Sequence, residues 1–155
     1  MKKKVYRSRV SVLLILFVTV MCGRPLISAI CSGNIFNSEV YIIAGGLIFC
    51  YALFFGISYI ITDGKLLIKT FGITTGKAKI SKIISIERSY NLLSSPAGSL
   101  KRLKISFNKG YKWPYALVSP VREQEFLETL KMYNPNIQIH VDDKKGWWRI
   151  WDWDI

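Results

Sequence analysis

The stretches VSVLLILFVTVMCGRPLISAIC, residues 10–31, and VYIIAGGLIFCYALFFGISYII, residues 40–61, decide the fold of this chain. About 20 helical residues, each adding 1.5 Å, span the roughly 30 Å hydrocarbon core of a bilayer. Each stretch is therefore long enough to cross a membrane, and the short connection between them predicts a helical hairpin. We place the two transmembrane helices at about residues 10–31 and 38–58, within a membrane anchor formed by residues 1–61.

Positive charge is distributed unevenly around these two stretches. Five Lys or Arg residues fall within the first nine positions, whereas the connection between the helices contains neither residue type. The positive-inside rule then places both termini in the cytoplasm and the connection outside the cell membrane, as a multi-pass protein. A cleaved signal peptide is the alternative for the first stretch. The length of the apolar run and the lack of a small-x-small cleavage site favour an uncleaved anchor.

Several polar or reactive residues interrupt the apolar stretches. A charge at membrane depth, such as Arg24, often marks a function. Arg24 can instead extend to the outer headgroups while Pro25 kinks the helix, and we favour this second interpretation. Cys22, Cys31 and Cys50 lie in or beside the stretches, which predicts free thiols rather than a disulfide framework or a metal site.

The rest of the chain has the pattern of a small sheet domain. About 90 residues remain outside the anchor, enough for one domain with its own core. Short runs alternate apolar and polar residues with a period of two, which is typical of an antiparallel sheet with one buried face. Asp63-Gly64 and Phe71-Gly72 are turn signals between the first runs. The apolar positions of the later runs are Ala78, Ile80, Ile84, Ile86, Leu103, Ile105 and Phe107.

The period changes once, after Val118. Ser119 is placed to cap a helix that begins at Pro120, with Glu123 near the positive end of the helix dipole. Asn134-Pro135 ends this helix. Its apolar residues share one face and are Phe126, Leu127, Leu130 and Tyr133. The sequence therefore predicts an α+β, mainly β fold, in which a helical hairpin precedes a small barrel or curved sheet covered by one helix.

Two segments of this domain resemble a known family. They are NLLSSPAGSLKRLKI, residues 91–105, and VSPVREQEFLETLKMYNPNIQI, residues 118–139. Both resemble signature blocks of a bacterial pleckstrin-homology-like (PH-like) domain family, whose members carry two N-terminal transmembrane helices. The similarity covers residues 59–139 closely and the anchor only in layout, and Gly98 stands where a bulkier residue is expected. The resemblance implies a PH-like split β-barrel at residues 59–141, capped by one C-terminal α-helix, with no established catalytic residues.

The residue types needed for common enzyme chemistry are scarce. His140 is the only histidine, which excludes a histidine metal cluster, and we expect no Ser-His-Asp arrangement around it. Ser94, Ser95 and Ser99 surround a proline and are better explained as loop-forming residues than as nucleophiles. We therefore expect no enzyme activity, no catalytic residue, no cofactor and no metal site.

Basic residues of the domain and tryptophans of the tail, residues 142–155, are the candidates for contact with lipid or a partner protein. Cations near a membrane surface attract anionic headgroups by about 1 kcal/mol each, although a solvated lysine face explains the pattern equally well. Indole rings favour the membrane interface, and packing on the domain or a partner is the alternative. The candidates are Lys77, Lys79, Lys82, Lys101, Arg102, Lys104, Trp147, Trp148, Trp151 and Trp153.

The function that these observations predict is a membrane-anchored, non-enzymatic binding module at the inner face of a bacterial membrane. Its ligand would be a protein partner or anionic lipid headgroups. Nucleic acid is not expected, because no aromatic-basic binding motif accompanies the charge. The alternative is a self-immunity membrane protein that shields its host from a bacteriocin or toxin, which rests on analogy. An adjacent toxin operon would favour this alternative.

Overall fold

The computed structural model describes residues 3–33, 37–89, 99 and 101–142. A strand, two helices and then a domain of seven strands and one helix follow each other along the described chain. In order, the elements are β1 (Lys4–Arg7), α1 (Val12–Cys31), α2 (Ser38–Phe55), β2 (Ile57–Thr62), β3 (Lys65–Thr70), β4 (Ile73–Lys79), β5 (Ile83–Ser89), β6 (Arg102–Phe107), β7 (Tyr115–Val118), α3 (Glu123–Tyr133) and β8 (Gln138–His140). A short 3-10 helix, Ile80–Lys82, joins β4 to β5.

The helices α1 and α2 are long and apolar enough to cross a membrane, and none of their residues is buried within the protein. They pack against each other, and the hydroxyls of Thr19 and Tyr51 hydrogen-bond between them. The second helix ends at Phe55, earlier than the expected residue 58, because the apolar run divides between a helix and a strand. Residues 57–62 are rich in β-branched and aromatic side chains and pair with a strand on each side, which favours the sheet.

The first sheet has the strand order β1-β2-β3-β4, and all its pairs are antiparallel. Its two hairpins turn at the predicted dipeptides. Both central residues have positive φ in each turn, 47° and 67° at Asp63-Gly64 and 54° and 79° at Phe71-Gly72. This backbone matches the type I′ turn, whose twist agrees with that of the flanking strands.

Strand β1 was not predicted from the sequence. It precedes α1 but pairs with β2, which follows α2, so the chain on both sides of the helical hairpin belongs to one sheet. The chain after β1 also contacts the chain that follows β7. The Arg9 amide donates to the Ser119 carbonyl at 2.6 Å, and Ser8 forms a β-bridge with Pro120. The expected helix cap at Ser119 is therefore wrong. Residues 119 and 120 continue the extended chain toward β1, and α3 begins at Glu123.

The second sheet has the strand order β7-β6-β5-β8, with β8 parallel to β5 and the other pairs antiparallel. Leu103, Ile105 and Phe107 of β6 point into the core, as predicted. The register shifts between Ile83 and Ser85, which turns the side chain of Ile84 outward and leaves it 45% exposed. The expected inward position of Ile84 is thus wrong.

The core lies between the two sheets and is covered by α3. Phe126 and Leu130 of that helix are fully buried, and the Phe126 ring meets the Tyr6 ring edge-on at 5.2 Å. This arrangement confirms the predicted fold class, an α+β domain behind a helical hairpin. The sheets are not closed into a barrel. Along the edge of β4 the Tyr111 hydroxyl accepts from the Lys79 amide and donates to the Lys77 carbonyl, each at 3.2 Å.

Candidate binding surfaces

The structure brings only some of the sequence-predicted cations together. Lys77 and Lys79 are exposed neighbours on the outer face of the first sheet, on either side of the buried Ala78. Lys82 is exposed in the 3-10 helix, beyond the end of β4. Lys104 lies on the outer face of the second sheet, with its ammonium 5.5 Å from the centre of the Tyr115 ring. These residues therefore form no single patch.

Arg102 is not a surface residue. Arg102 is 5% exposed, and its Nε donates to the Ser99 carbonyl at 2.6 Å. Desolvation by this burial lowers the pKa of the guanidinium. Arg102 thus orders the chain before β6 rather than facing a ligand. The predicted tail residues Trp147, Trp148, Trp151 and Trp153 lie outside the described residues.

Lys101 borders a polar hollow close to the start of α1. The hollow is also lined by Arg9 and by a half-buried ion pair between Arg88 and Glu123. The two guanidinium nitrogens of Arg88 donate to the two carboxylate oxygens at 2.8 and 2.6 Å, and Arg9 approaches the same carboxylate at 3.8 Å. Bidentate pairing of this kind fixes geometry and neutralises charge. The hollow therefore connects β5, α3 and the chain after β1 rather than binding an anion.

A group of five cations lies on the outer face of the first sheet, which we call the basic sheet face. Its members alternate with the core residues of their strands, and none of them forms an ion pair with a described residue. Within residues 4–7 and 57–79, which form the first sheet and its two hairpins, Asp63 is the only acidic residue. The members are Arg7, Lys65, Lys69, Lys77 and Lys79.

The strand register arranges the basic sheet face in three rows. The row beside the helix ends contains Arg7, Ser58 and Lys69, and the next row contains Lys77 at its edge. The third row pairs Lys65 with Lys79. Successive rows are two residues apart along the strands, which is about 7 Å. The face therefore extends about 14 Å away from the row beside the helix ends.

Apolar side chains fill the middle row. Val5, Ile60 and Leu67 are directly opposite one another on adjacent strands and lie outside the core cluster. Val5 is 46% exposed, whereas its neighbours cover Ile60 almost completely. The basic sheet face thus has an apolar centre with cations on both sides of it.

The third row places two lysines directly opposite each other. Like charges in direct cross-strand register are destabilising by a fraction of a kcal/mol up to about 1 kcal/mol. The Lys65–Lys79 pair therefore costs stability in the isolated domain. An anionic partner at this row would remove that cost.

Sequence reasoning missed three members of the basic sheet face. Arg7 was interpreted only as one of the charges that orient the anchor, and Lys65 and Lys69 were not among the candidates. Their common face depends on the pairing of β1 with β2, which joins segments on opposite sides of the hairpin. The signal that could have found it is the alternation of Lys65, Leu67 and Lys69 with buried Leu66 and Ile68.

An apolar cleft of about 320 Å³ opens where the sheets stay apart, between β4 and β7. Phe107, Trp113 and Leu117 line one side, and Ile68 and Ala78 line the other. Its size is at the lower end for small-molecule sites. Among the described residues, no group of three His, Cys, Asp or Glu side chains could hold a metal ion.

A buried hydroxyl network joins the elements behind these surfaces. The Tyr59 hydroxyl accepts from the Ser119 amide at 3.1 Å and lies 3.2 Å from the Ser8 hydroxyl. Burial raises the pKa of Tyr59 despite these hydrogen bonds, so the phenol stays protonated. The network ties β1, β2 and β7 together and holds the basic sheet face in place.

Comparison with known proteins gives one match. A family model described as a bacterial PH domain matches residues 57–134, from the start of β2 to just past the end of α3. No curated protein and no solved structure matches the chain. The match omits β1 and β8, the two strands that the sequence patterns also missed. Because it covers half of the chain, this protein, with two apolar helices ahead of the matched domain, belongs to the bacterial PH domain family.

Proposed function

We propose that this protein is a non-enzymatic binding module held at the inner face of a bacterial membrane by α1 and α2, with both termini in the cytoplasm. PH domains are generally non-catalytic binding modules. Only Gly56 separates α2 from β2, so no flexible linker lets the domain move away from the helix end. The Lys and Arg residues that flank the helices, against none in their connection, support the inner side.

The ligand that we propose is an acidic surface of a protein partner, and the basic sheet face is the observation that carries this proposal. Headgroups at the level of the helix ends can reach the row of Arg7 and Lys69. The row of Lys65 and Lys79 lies about 14 Å further along the strands, and because the headgroup layer is about 5–8 Å thick, this row is about one Debye length of 8 Å from the headgroups, where their attraction is strongly screened. Those two lysines need an anion that extends away from the bilayer, which a protein provides.

The apolar middle row supports a protein rather than a lipid ligand. Specific protein interfaces have an apolar centre surrounded by polar groups, and charge complementarity directs the approach of the partner. Val5 and Leu67 would form that centre, with cations of the first and third rows around it. An acidic partner would also relieve the repulsion between Lys65 and Lys79.

Crosslinking in native membranes tests this proposal. A photoreactive amino acid at Leu67, in the middle of the basic sheet face, should crosslink the full-length chain to an acidic protein. The double charge reversal Lys77→Glu/Lys79→Glu should abolish that product. The matched control Lys109→Glu/Lys112→Glu changes two exposed lysines outside the face by the same charge and should leave the product unchanged.

The free energy of unfolding of the single variant Lys79→Glu, measured beside its crosslink, separates loss of binding from loss of folding. Lys79→Glu converts a like-charge pair with Lys65 into an opposite-charge pair, so it should raise the free energy of unfolding by a few tenths of a kcal/mol up to about 1 kcal/mol. A more stable variant that has lost its crosslink would support a binding role. Crosslinks to lipid alone, or a protein product that survives charge reversal, would contradict the proposal.

The same experiment addresses the self-immunity alternative. Immunity would make the partner a toxin or bacteriocin, so the crosslinked product would form only when that molecule is added to the cells. A product formed without it would favour a resident partner.

A further inference from the structure

The turn between β3 and β4 carries exposed apolar side chains at the end of α2. The Phe71 amide donates to the Gly56 carbonyl at 2.9 Å, and the Gly56 amide still donates to the Ala52 carbonyl of the helix at 2.8 Å. The Phe71 ring also contacts Gly56, because a Cβ at that glycine would lie 3.0 Å from two ring carbons. The turn is thus fixed at the height of the last helical residues.

The length of α2 sets this height relative to the bilayer. Its 18 residues extend about 27 Å, slightly less than the roughly 30 Å hydrocarbon core. Its apolar part after Glu39 is shorter still, so all of that part is needed to cross and the helix ends at the boundary between acyl chains and headgroups. The turn bonded to that end lies at the same boundary.

The side chains of the turn suit that location and not water. Phe71 is 49% exposed, Ile73 is 70% exposed, and Phe55 beside them on the helix is 60% exposed. Phe55 adjoins Gly56, which Phe71 contacts, and Ile73 is two residues from Phe71, so all three are near the helix end, whereas scattered single apolar residues would need no explanation. Lys69, two residues before Phe71, lies on the headgroup side, where a cation is favourable.

The backbone of the turn makes the choice of phenylalanine unusual. A bulky residue with φ of 54° is uncommon, since this region favours Gly, Asn and Asp. The other hairpin of the sheet, at the far end of β3, has Asp63 at the equivalent position with φ of 47°. Two turns of one geometry thus differ in polarity, and the apolar one is at the helix end.

We propose that the β3–β4 turn inserts Phe71 and Ile73 into the interfacial layer of the bilayer and fixes the tilt of the domain on the membrane. The insertion is an apolar contact, so it is independent of lipid charge and of salt. It holds the basic sheet face upright instead of letting it lie against the headgroups. The insertion rests on one part of the proposed function, the crossing of the bilayer by α2.

Nitroxide labels on the full chain in phosphatidylcholine nanodiscs test the insertion. The labels are placed one at a time at Ile73→Cys and at Lys65→Cys, the equivalent position after the other hairpin, in a chain with its native cysteines replaced by Ala. Collisions with oxygen, which concentrates in lipid, and with a polar nickel chelate report depth. We expect more oxygen and less nickel collision at position 73 than at position 65, at low and high salt alike.

Two further measurements separate the possible outcomes. A chain that keeps only Cys50, five residues before the end of α2, should give a lipid-exposed label, and a nickel-accessible label there would contradict the membrane crossing itself. A lipid-exposed label at Cys50 together with equal nickel access at positions 73 and 65 would overturn the insertion alone. Phe71→Asp keeps the turn backbone, as Asp63 shows, and should shift the label at position 73 toward the nickel chelate. An unchanged depth of the label at position 73 in that variant would also overturn the proposal. If Phe71→Asp does not fold, the comparison of labels at positions 73 and 65 in the chain that keeps Phe71 decides.

Discussion

Replacement of Tyr6 by alanine should destabilise the sheet domain strongly, although this residue precedes the first apolar helix. Tyr6 is 1% exposed, its ring packs edge-on against Phe126, and its hydroxyl lies 2.9 Å from the Thr129 hydroxyl. Truncation of a buried aromatic residue to alanine costs about 3–5 kcal/mol. For a domain of this size, each kcal/mol lowers the melting temperature by about 4–8 °C, so we expect a loss of at least about 12 °C.

Two matched variants show which part of the Tyr6 side chain matters. Tyr6→Phe removes only the hydroxyl, and Thr129 still donates to the Glu125 carbonyl at 2.7 Å, so the loss should be about 0.5–1.5 kcal/mol. Val5→Ala changes the neighbouring, half-exposed residue on the outer face and should cost less than Tyr6→Ala. Thermal unfolding of the full chain in detergent, followed by the near-ultraviolet signal of the domain, measures all three. Equal and small losses for Tyr6→Ala and Val5→Ala would show that β1 is not part of the folded domain.

Other predictions follow from the core, the buried polar groups and the anchor. Leu103→Ala should lower the free energy of unfolding by about 2–5 kcal/mol, whereas Lys104→Ala on the outer face should change it little; similar effects would mean that the β6 register is wrong. Because burial raises the pKa of Tyr59 above its usual 10.0, the folded state keeps a proton that the unfolded chain loses. The stability present below pH 10 should therefore fall as the pH rises through the raised pKa, and denaturation curves of Tyr59→Phe should show a smaller fall. Glu123→Gln removes the charge paired with the half-buried Arg88 and should cost about 1.5–3 kcal/mol in the same assay; no measurable loss would contradict the importance of this pair. A reporter active only in the cytoplasm should give signal when fused to the C-terminus, and signal from an externally active reporter would refute the proposed orientation.

Local patterns in the sequence predicted the parts of the fold that local chemistry determines. Alternation identified the buried residues of β6, and the turn dipeptides placed both hairpins of the first sheet. Pairings between distant segments were not predictable in this way. The four residues of β1 carry two cations and adjoin an apolar helix, so their pattern indicated an anchor flank and not a strand. The start of α3 was misplaced for the same reason. Ser8, more than 100 residues away, forms a β-bridge with Pro120, and Pro120 is therefore extended rather than helical.

The candidate surface was only partly predictable because it combines both sides of the helical hairpin. Lys77 and Lys79 were found from their alternation with Ala78. The contribution of Arg7 to the same face depends on the β1–β2 pairing and could not be inferred from spacing. The bulge that turns Ile84 outward also has no local signal, because it reflects the register that β6 imposes on β5.

The pairing of β1 with β2 has a consequence for biosynthesis. The ribosome delivers Lys4–Arg7 first, but the partner residues Ser58–Ile61 emerge only after both apolar helices have been made. In the membrane arrangement proposed above, β1 therefore stays unpaired until then, on the side of the membrane where the domain appears. If α1 entered the bilayer in the opposite orientation, β1 would be on the wrong side, and Tyr6 would be missing from the core. Correct folding of the domain thus becomes a checkpoint for correct membrane insertion, and misinserted chains would present an incomplete sheet edge and an open core to the proteases that remove faulty proteins.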